Sequence, residues 1–552
     1  MSKNLSELSG RRGLQENLFE ELGILARKDG TPETGEMDRL SEKFLFGKAN
    51  IYGTATFYDF TKPENKNKKV YVCNGSACLT AGTQHHLHEK ISEHFSAEEI
   101  GHMTCLGRCH ENSSFHFDGK NYSACSDEQL NEIFKSKNAR PLDNYHVESL
   151  GHAALTSPIG ELENYFSLLK SWIDSGHDAM LAEIKTANIR GRGGAGFPMG
   201  FKLESCKNEP GETKFVVCNA DEGDPGAYSD RYILEQRVHA LLFGMMAAGF
   251  IIGAKWGVVY IRAEYPEAIT ITENAVRDLY ERKWLGENIQ GTGFNFDFKV
   301  IRAQGAYICG EETALLSSLE GQRPEVRTRP PFPTQRGLFN RPTVVNNVET
   351  LASIHYILEK GGKHYTSIGT EKSKGTKLVC LDSHFNRSGM YEVEMGTPLR
   401  VVVDELGKGF KHRVKAMQIG GPLGGIVPVS KIDSLTVDFE SFAQNGFLLG
   451  HASVVCIPEN FSLVEYVEHI FEFAAYESCG KCFPCRLGTQ RGQEMFAKAR
   501  TSDYKIPRVL LEDLLFTLTA GSLCAHGGGI PLPVKNALQY FPEEFDRVLE
   551  SR

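Results

Sequence analysis

The chain of 552 residues has no apolar stretch at its start: MSKNLSELSGRRGLQ contains no hydrophobic core, so a secretory signal is not expected. No run is long enough to cross a membrane either. The longest apolar stretch, residues 240–254, ends at Lys255 and is broken by Gly244, Gly249 and Gly253. It falls short of the ~20 residues a bilayer requires and reads as a buried helix. Positive charge is not in excess, because 61 Lys and Arg against 70 Asp and Glu leave a net −9, which argues against a nucleic-acid-binding chain. Repeats and low-complexity tracts are missing. With no export signal the expected location is the cytoplasm, where thiols stay reduced and clustered cysteines serve as metal ligands rather than disulfides.

What is present fits several folded domains, three to five at roughly 100–200 residues each. An apolar fraction of 41% and a charged fraction of 24% exclude a disordered polymer or a simple coiled coil. Leu14, Leu18, Leu22 and Leu25 follow helical spacing, predicting an amphipathic helix over 11–28. KVYVC (69–73) reads as a strand, 83–95 as a helix, and 114–117 and 120–122 as a hairpin about Asp118-Gly119. A small α/β domain over 60–140 follows from these, with 137–144 as its linker and 1–59 as a helical lead. Residues 150–370 alternate strands (215–218, 257–262, 296–301) with helices (231–254, 266–282, 311–320), which predicts a mostly parallel sheet covered on both faces. The segment 375–455 reads as a small β-rich domain with strands LVCLD, MYEVEMG, LRVVVDEL and ASVVCI, and 456–552 as helical, interrupted by two cysteine loops. The fold class is multidomain α/β.

Two cysteine sets stand out among 14 cysteines. Cys479, Cys482 and Cys485 form CxxCxxC, with Cys524 following 39 residues later. Three thiols at that spacing reach three corners of a cubane and a distant fourth closes it, so a [4Fe–4S] cluster fits better than zinc, which usually takes its thiols in two pairs. Cys73-x4-Cys78 and Cys105-x3-Cys109, separated by 26 residues, suit a four-thiolate [2Fe–2S] centre and also suit zinc. The other six cysteines lack ligand spacing and read as core residues.

The loop Gly191-Arg192-Gly193-Gly194-Ala195-Gly196-Phe197 matches GxGxxG, but a helix-like segment precedes it where a dinucleotide fingerprint requires a strand. Four glycines in six residues favour close approach to a ligand over a plain turn. Two acidic clusters follow expected strands: Asn219, Asp221, Glu222 and Asp224 after KFVVC, and Gly310-Glu311-Glu312 after AYIC. Carboxylates there suit ribose hydroxyls, ring N–H groups or a carboxamide, with helix capping as the bland alternative. Arg327, Arg329 and Arg336 bracket Pro330-Pro331-Phe332-Pro333 ahead of Asn346-Asn347. Arg329 could meet a pyrophosphate, Phe332 offers a stacking face and the amides can read a heterocycle edge; a solvated basic loop is the equal alternative. Together these features suggest a flavin and a nucleotide sharing one cleft.

GRGGAGFPMGFK, CNADEGDPGAYSDR, GAYICGEETALLSSLEG, RPPFPTQRGLFNRPTVVNNVET and ESCGKCFPCRLG resemble the NADH- and FMN-binding subunit shared by respiratory complex I and soluble NAD-linked dehydrogenases. Residues 11–136 resemble the thioredoxin-like [2Fe–2S] subunit of the same machines, fused in front, which favours [2Fe–2S] over zinc. The resemblance implies a thioredoxin-like domain, a Rossmann-like FMN-binding domain, a β-grasp domain and a C-terminal helical bundle. It implies FMN contacts from Gly191, Arg192, Gly193, Gly194, Lys202, Asn219, Asp221, Glu222, Tyr307, Gly310, Glu311, Asn346 and Asn347. NAD(H) would stack on Phe197 and Phe332 and touch Asp224, Glu312 and Arg329, with Glu312 and Asp224 at the hydride-transfer site. Asp224 stands where respiratory relatives typically carry Glu, Arg329 where Lys is usual, and Ser205 where some relatives place a second aromatic. The implied partner is a catalytic dehydrogenase or hydrogenase subunit with its own iron–sulfur clusters, in a hetero-oligomer. Fusion points to a soluble enzyme rather than respiratory complex I, and the intact Cys73 quartet leans toward a molybdenum- or tungsten-dependent formate dehydrogenase over a nickel–iron hydrogenase; a complex I-type subunit and a zinc-stabilised binding protein are the alternatives.

Overall fold

A computed structural model of the protein describes residues 6–7, 9–10, 13–29, 32–136 and 143–550. The first long helix runs Leu18–Asp29, later than the expected 11–28. The Asn17 side chain causes the late start, accepting from Phe19 N–H at 2.8 Å, while residues 13–16 turn. The N-terminal helices are not a detached lead. Leu14, Phe19 and Tyr58 pack with Val217, Val258 and Tyr260 of the central sheet, while Leu18 and Leu22 pack with Leu40, Phe44 and Ile51.

The small domain holds a four-stranded sheet of order β2-β1-β3-β4, with β1 (Val70–Cys73) parallel to β2 (Ile100–Met103) and antiparallel to β3 (Phe115–Phe117). The predicted hairpin joins β3 to β4 (Lys120–Tyr122), and Asp118 and Gly119 both take positive φ (49° and 74°), as a tight hairpin turn requires. Of the predicted linker, 137–142 lie outside the described residues; Asp143 is docked, bonding His110 Nε2 at 2.9 Å and pairing with Arg231.

Next in the chain, β5 (His146–Leu150) joins the edge of a later sheet. The central sheet is wholly parallel, of order β8-β7-β6-β9: β6 (Phe215–Ala220), β7 (Trp256–Ile261), β8 (Asp297–Arg302) and β9 (Thr343–Asn347). Strand β9 is not among the strands expected from the sequence. It matters for position, because chain order runs outward from β6 through β7 to β8 on one side and returns to β9 on the other. The crevice between the C-terminal ends of β6 and β9 is therefore the topological switch point, where open α/β sheets bind ligands. The apolar run folds as the helix Val238–Ile252, with Gly244 set so tightly against the Leu351 carbonyl that a Cβ would lie 1.9 Å from it. That helix packs against Val348–Lys360 inside one continuous core.

The third sheet is mixed, of order β13-β12-β14-β10-β11-β5. It comprises β10 (Thr376–Leu381), β11 (Gly389–Glu394), β12 (Val414–Ile419), β13 (Gly425–Pro428) and β14 (Ser453–Pro458). LRVVVDEL is not the strand expected. Residues 399–406 are helical, and Leu399, Val402, Val403 and Leu406 are buried at i, i+3, i+4 and i+7, so a helical period overrides β-branched composition. AYIC is likewise no strand, since Tyr307–Gly310 forms a short 3-10 turn. The C-terminal region is helical as expected, with the helices Leu463–Tyr476, Phe483–Thr501, Arg508–Gly521 and Pro531–Tyr540 around one core.

Candidate functional site

The switch point gathers most of the singled-out residues. At the end of β6, Asn219 Nδ2 donates to the Gly310 carbonyl (2.7 Å), tying the first acidic cluster to the second. The glycine loop lies between the helices His177–Ala187 and Met199–Asn208, so it is a helix–loop–helix element with no preceding strand. Its backbone approaches β9 closely, and a Cβ on Gly193 would lie 2.9 Å from that of Asn347. Arg192 is fully buried: its N–H donates to Thr350 Oγ1 (2.8 Å), and its guanidinium reaches Tyr365 OH (3.2 Å) and the Lys374 carbonyl.

Among the described residues, Asp221 Oδ2 and Asn346 Nδ2 at the strand ends of this crevice are buried with no hydrogen-bond partner, as are Arg192 Nε and Nη1 in the glycine loop. Buried polar groups are rarely left unpaired. An unpaired carboxyl oxygen and an unpaired amide donor at the ends of β6 and β9 fit the polar edge of a flavin. Burial pushes the Asp221 carboxyl well above the usual carboxylate range, which favours its neutral form.

Other expected contacts are rearranged. Glu222 spends its carboxylate on the start of the helix Ser229–Gln236, accepting from Asp230 N (2.9 Å), Arg231 N (3.1 Å), Ser229 Oγ (3.1 Å) and Tyr265 OH (3.0 Å). Its side chain is thus a scaffold link and does not face the crevice. Asn347 is similarly engaged, capping Val348–Lys360 through Thr350 N (3.3 Å) and donating to Asp230 (2.6 Å). Glu311 takes the capping role, accepting from Thr313 N and Ala314 N at 2.8 Å each. Glu312 is instead the centre of an ion cluster, with Lys202 Nζ at 3.0 Å and Arg329 Nη1 at 2.9 Å. Asp224 accepts from Tyr307 OH (2.7 Å), and burial raises its pKa.

Phe197 and Phe332 are 46% and 53% exposed, unusual for large aromatics and suited to stacking on a ligand. Phe201, which sequence reasoning missed, is 61% exposed and meets Phe197 edge-on at 5.7 Å. Its signal was the i+4 spacing from Phe197 across the loop–helix junction.

Both cysteine quartets assemble. Cys73 ends β1, Cys78 lies in Ser76–Ala81, and Cys105 and Cys109 follow β2, all four at 3% exposure or less. Cys105 Sγ is 3.5 Å from Cys109 Sγ, and a hydrogen bond from the Cys78 thiol holds Cys73 down at about 7. The flavin-side loop closes this site, with Gly226 N–H donating to Cys109 Sγ (3.2 Å). In the C-terminal set Cys479 and Cys485 are buried while Cys482 and Cys524 are half-buried, and Gly527 lets the second loop close to within 2.8 Å (a built Cβ) of Cys485 Cβ. Burial pushes Cys485 up to about 11 and Cys524 to about 12, so metal loading must displace their protons. Of the other six cysteines, five are buried and Cys125 is half-buried, as core residues should be.

Comparison with known proteins agrees with this layout. Residues 184–356 match the family model of the Nuo51 FMN-binding domain, 465–548 that of the NADH-ubiquinone oxidoreductase-F iron–sulfur binding region, and 7–138 that of the thioredoxin-like [2Fe–2S] ferredoxin. The last selects [2Fe–2S] over the zinc alternative that spacing left open. The mitochondrial NADH dehydrogenase (ubiquinone) flavoprotein 1 of Dictyostelium discoideum is 36% identical over 389 residues, 69% of this chain and 81% of the relative. NADP-reducing hydrogenase subunit HndC of Solidesulfovibrio fructosivorans is 40% identical over 374 residues, 67% of this chain and 76% of the relative. A chain of the NAD+-reducing [NiFe]-hydrogenase in the H2-reduced state superposes with a TM-score of 0.85 at 26% identity, covering 97% of this chain and 93% of that one. With its crevice, both thiol quartets and these likenesses, the chain belongs to the family of FMN- and iron–sulfur-binding NADH dehydrogenase flavoproteins, carrying a thioredoxin-like [2Fe–2S] domain ahead of the flavoprotein region.

Proposed function

We propose that the chain is the diaphorase subunit of a hetero-oligomeric NAD-linked oxidoreductase, exchanging electrons between NAD(H) and a catalytic partner. Bound FMN supplies the conversion between a two-electron hydride and single electrons that iron–sulfur clusters accept. Asn219, Asp221, Gly310 and Asn346 would read the flavin edge, with Gly191, Gly193, Gly194 and Arg192 underlying it. Phe197 and Phe332 would stack the nucleotide, and Arg329 would neutralise its pyrophosphate. Glu312 and Asp224 would fix the ribose or carboxamide, setting the distance for hydride transfer. The observation that carries the reading is the pair of unpaired buried atoms, Asp221 Oδ2 and Asn346 Nδ2, at the switch point.

The test is FMN titration by fluorescence. Asn346→Leu should weaken FMN about tenfold or more, the cost of about 1.5 kcal/mol for one well-formed hydrogen bond. Glu312→Gln should keep FMN and slow its reduction by NADH in stopped flow. Wild-type FMN affinity in Asn346→Leu would remove the cleft assignment.

The partner should dock at the C-terminal thiols. Phe483 and Leu487, beside Cys482, Leu523, beside Cys524, and Phe516 are 43–69% exposed, an apolar surface around the shallower quartet. The terminal substrate belongs to that partner. The intact Cys73 quartet favours a metal-dependent formate dehydrogenase; the whole-length likeness to an NAD+-reducing [NiFe]-hydrogenase favours a hydrogenase. Assaying the copurified complex with formate and with hydrogen decides between them.

A further inference from the structure

Beside the crevice lies a buried trio whose polar atoms converge: Glu222, Asp230 and His451. His451 occupies the turn before β14, where Gly450 and Ala452 take positive φ (55° and 59°), and it is 5% exposed. Its Nε2 lies 3.4 Å from Glu222 Oε1 and 3.7 Å from Asp230 Oδ1 and has no hydrogen-bond partner. Asp230 in turn accepts from Asn347, and a Cβ on Gly194 of the glycine loop would stand 3.9 Å from Gly450. The trio therefore ties the acidic loop to β9 through Asn347, and Gly450, next to His451, borders the glycine loop.

We propose that His451 is a positioning cation, whose charge, held between Glu222 and Asp230, raises the midpoint potential of the flavin. This rests on placing FMN against the glycine loop. Hydride addition brings one negative charge onto the flavin as NADH leaves as NAD+, and a fixed cation in a low-dielectric wall favours the charged, reduced side. Burial alone would pull the imidazolium pKa down, but Asp230 and Glu222 more than offset it and hold it up at about 9. Burial pushes Asp230 up to about 6, against the pull of His451. The other charges facing the trio are Lys377, which opposes His451 and is itself ion-paired with Glu349, and Asp224, held by Tyr307.

The experiment is a spectroelectrochemical titration of the flavin in the FMN-loaded full chain from pH 6 to 10. At about pH 8, between the titrations of Asp230 and His451, His451→Gln should lower the ratio of reduced to oxidised flavin about tenfold at a fixed potential, equivalent to about 30 mV for a two-electron couple. The wild type should show an extra break in its potential-versus-pH line near pH 9, absent in His451→Gln. Asp230→Asn, which can still accept from Asn347, should move that break to lower pH. An unchanged midpoint and an unchanged break in His451→Gln, with normal FMN affinity, would overturn the proposal. If His451→Gln fails to hold FMN, Asp230→Asn decides, and an unmoved break overturns it. Gly193→Val separates the two readings: wild-type FMN affinity in that variant would reject the cleft placement, whereas lost affinity there with an unchanged His451→Gln potential rejects only the role of His451.

Discussion

The two cysteine quartets bind the same element in opposite settings. The N-terminal four are sealed between domains: the 221–226 loop covers Cys105 and Cys109, Arg262 reaches the Thr104 carbonyl at 3.2 Å, and Asn121 donates to the Glu264 carbonyl at 2.5 Å. The helices and loop that carry or flank the C-terminal four expose Phe483, Leu487, Phe516 and Leu523, and Cys482 and Cys524 are half-buried. The sealed site faces the flavin-side loop and not solvent, while the shallow one opens on a surface a partner can cover. On the proposed reading, depth, more than ligand chemistry, separates a side centre from an exit.

The sharpest way to break that contrast is to remove one thiol from each set. Cys482→Ala should leave NADH-driven flavin reduction intact and abolish electron exchange with the partner, read by rapid-freeze EPR and coupled NAD reduction. Cys73→Ala should be milder for that exchange. Equal losses would mean that both centres lie on the exit route.

The seal itself can be cut next. Arg262 is 3% exposed, bonds the Glu222 carbonyl and pairs with Glu264 at 2.9 Å. Arg262→Met would strand the Glu264 carboxylate, a cost of about 3–5 kcal/mol for a broken buried pair. The expected outcome is a lower Tm and faster amide exchange in β1 and β2 than in β12 and β14. Uniform exchange would show that the small domain does not depend on this clamp.

Much of this contrast was legible in the chain itself. CxxCxxC and the two cysteine pairs named both quartets because ligand spacing is local, and Asp118-Gly119 gave the hairpin because φ > 0 at both positions is a local demand. What escaped was non-local. LRVVVDEL looks like a strand by composition, yet its burial is helical, and β9 is a five-residue strand between Pro342 and its own paired asparagines, not among the strands expected, although the crevice depends on it. Nothing in LLGHAS announces that His451 will meet Glu222 and Asp230, which lie more than 200 positions earlier. Glu222 shows the same limit: an acidic residue after a strand can serve a ligand or the next helix, and its carboxylate bonds the start of Ser229–Gln236.

The exposed apolar side chains are the third target. Leu487→Asp or Phe516→Asp puts a charge on the apolar surface without entering the core, since these side chains are 58% and 69% exposed. Each should weaken partner binding about ten- to a hundredfold, as loss of an interface anchor costs about 1–3 kcal/mol. Reduction of a soluble dye by NADH should stay at the wild-type rate. Unchanged partner affinity in both variants would move the exit elsewhere.

The smallest expected effect is a difference in chemical lability. Iron leaves a cluster only when its thiols become accessible, and access to the N-terminal quartet requires opening the domain junction, whereas Cys482 and Cys524 already meet solvent. A gap of about 1.4 kcal/mol in opening free energy makes the rates differ about tenfold. The isolated chain, treated anaerobically with a chelator and followed by EPR, should therefore lose its [4Fe–4S] signal first, and Arg262→Met should narrow the gap by speeding loss of the [2Fe–2S] signal alone. If the two signals decay together in the wild type, burial of the N-terminal thiols confers no protection and the contrast in depth has no functional weight.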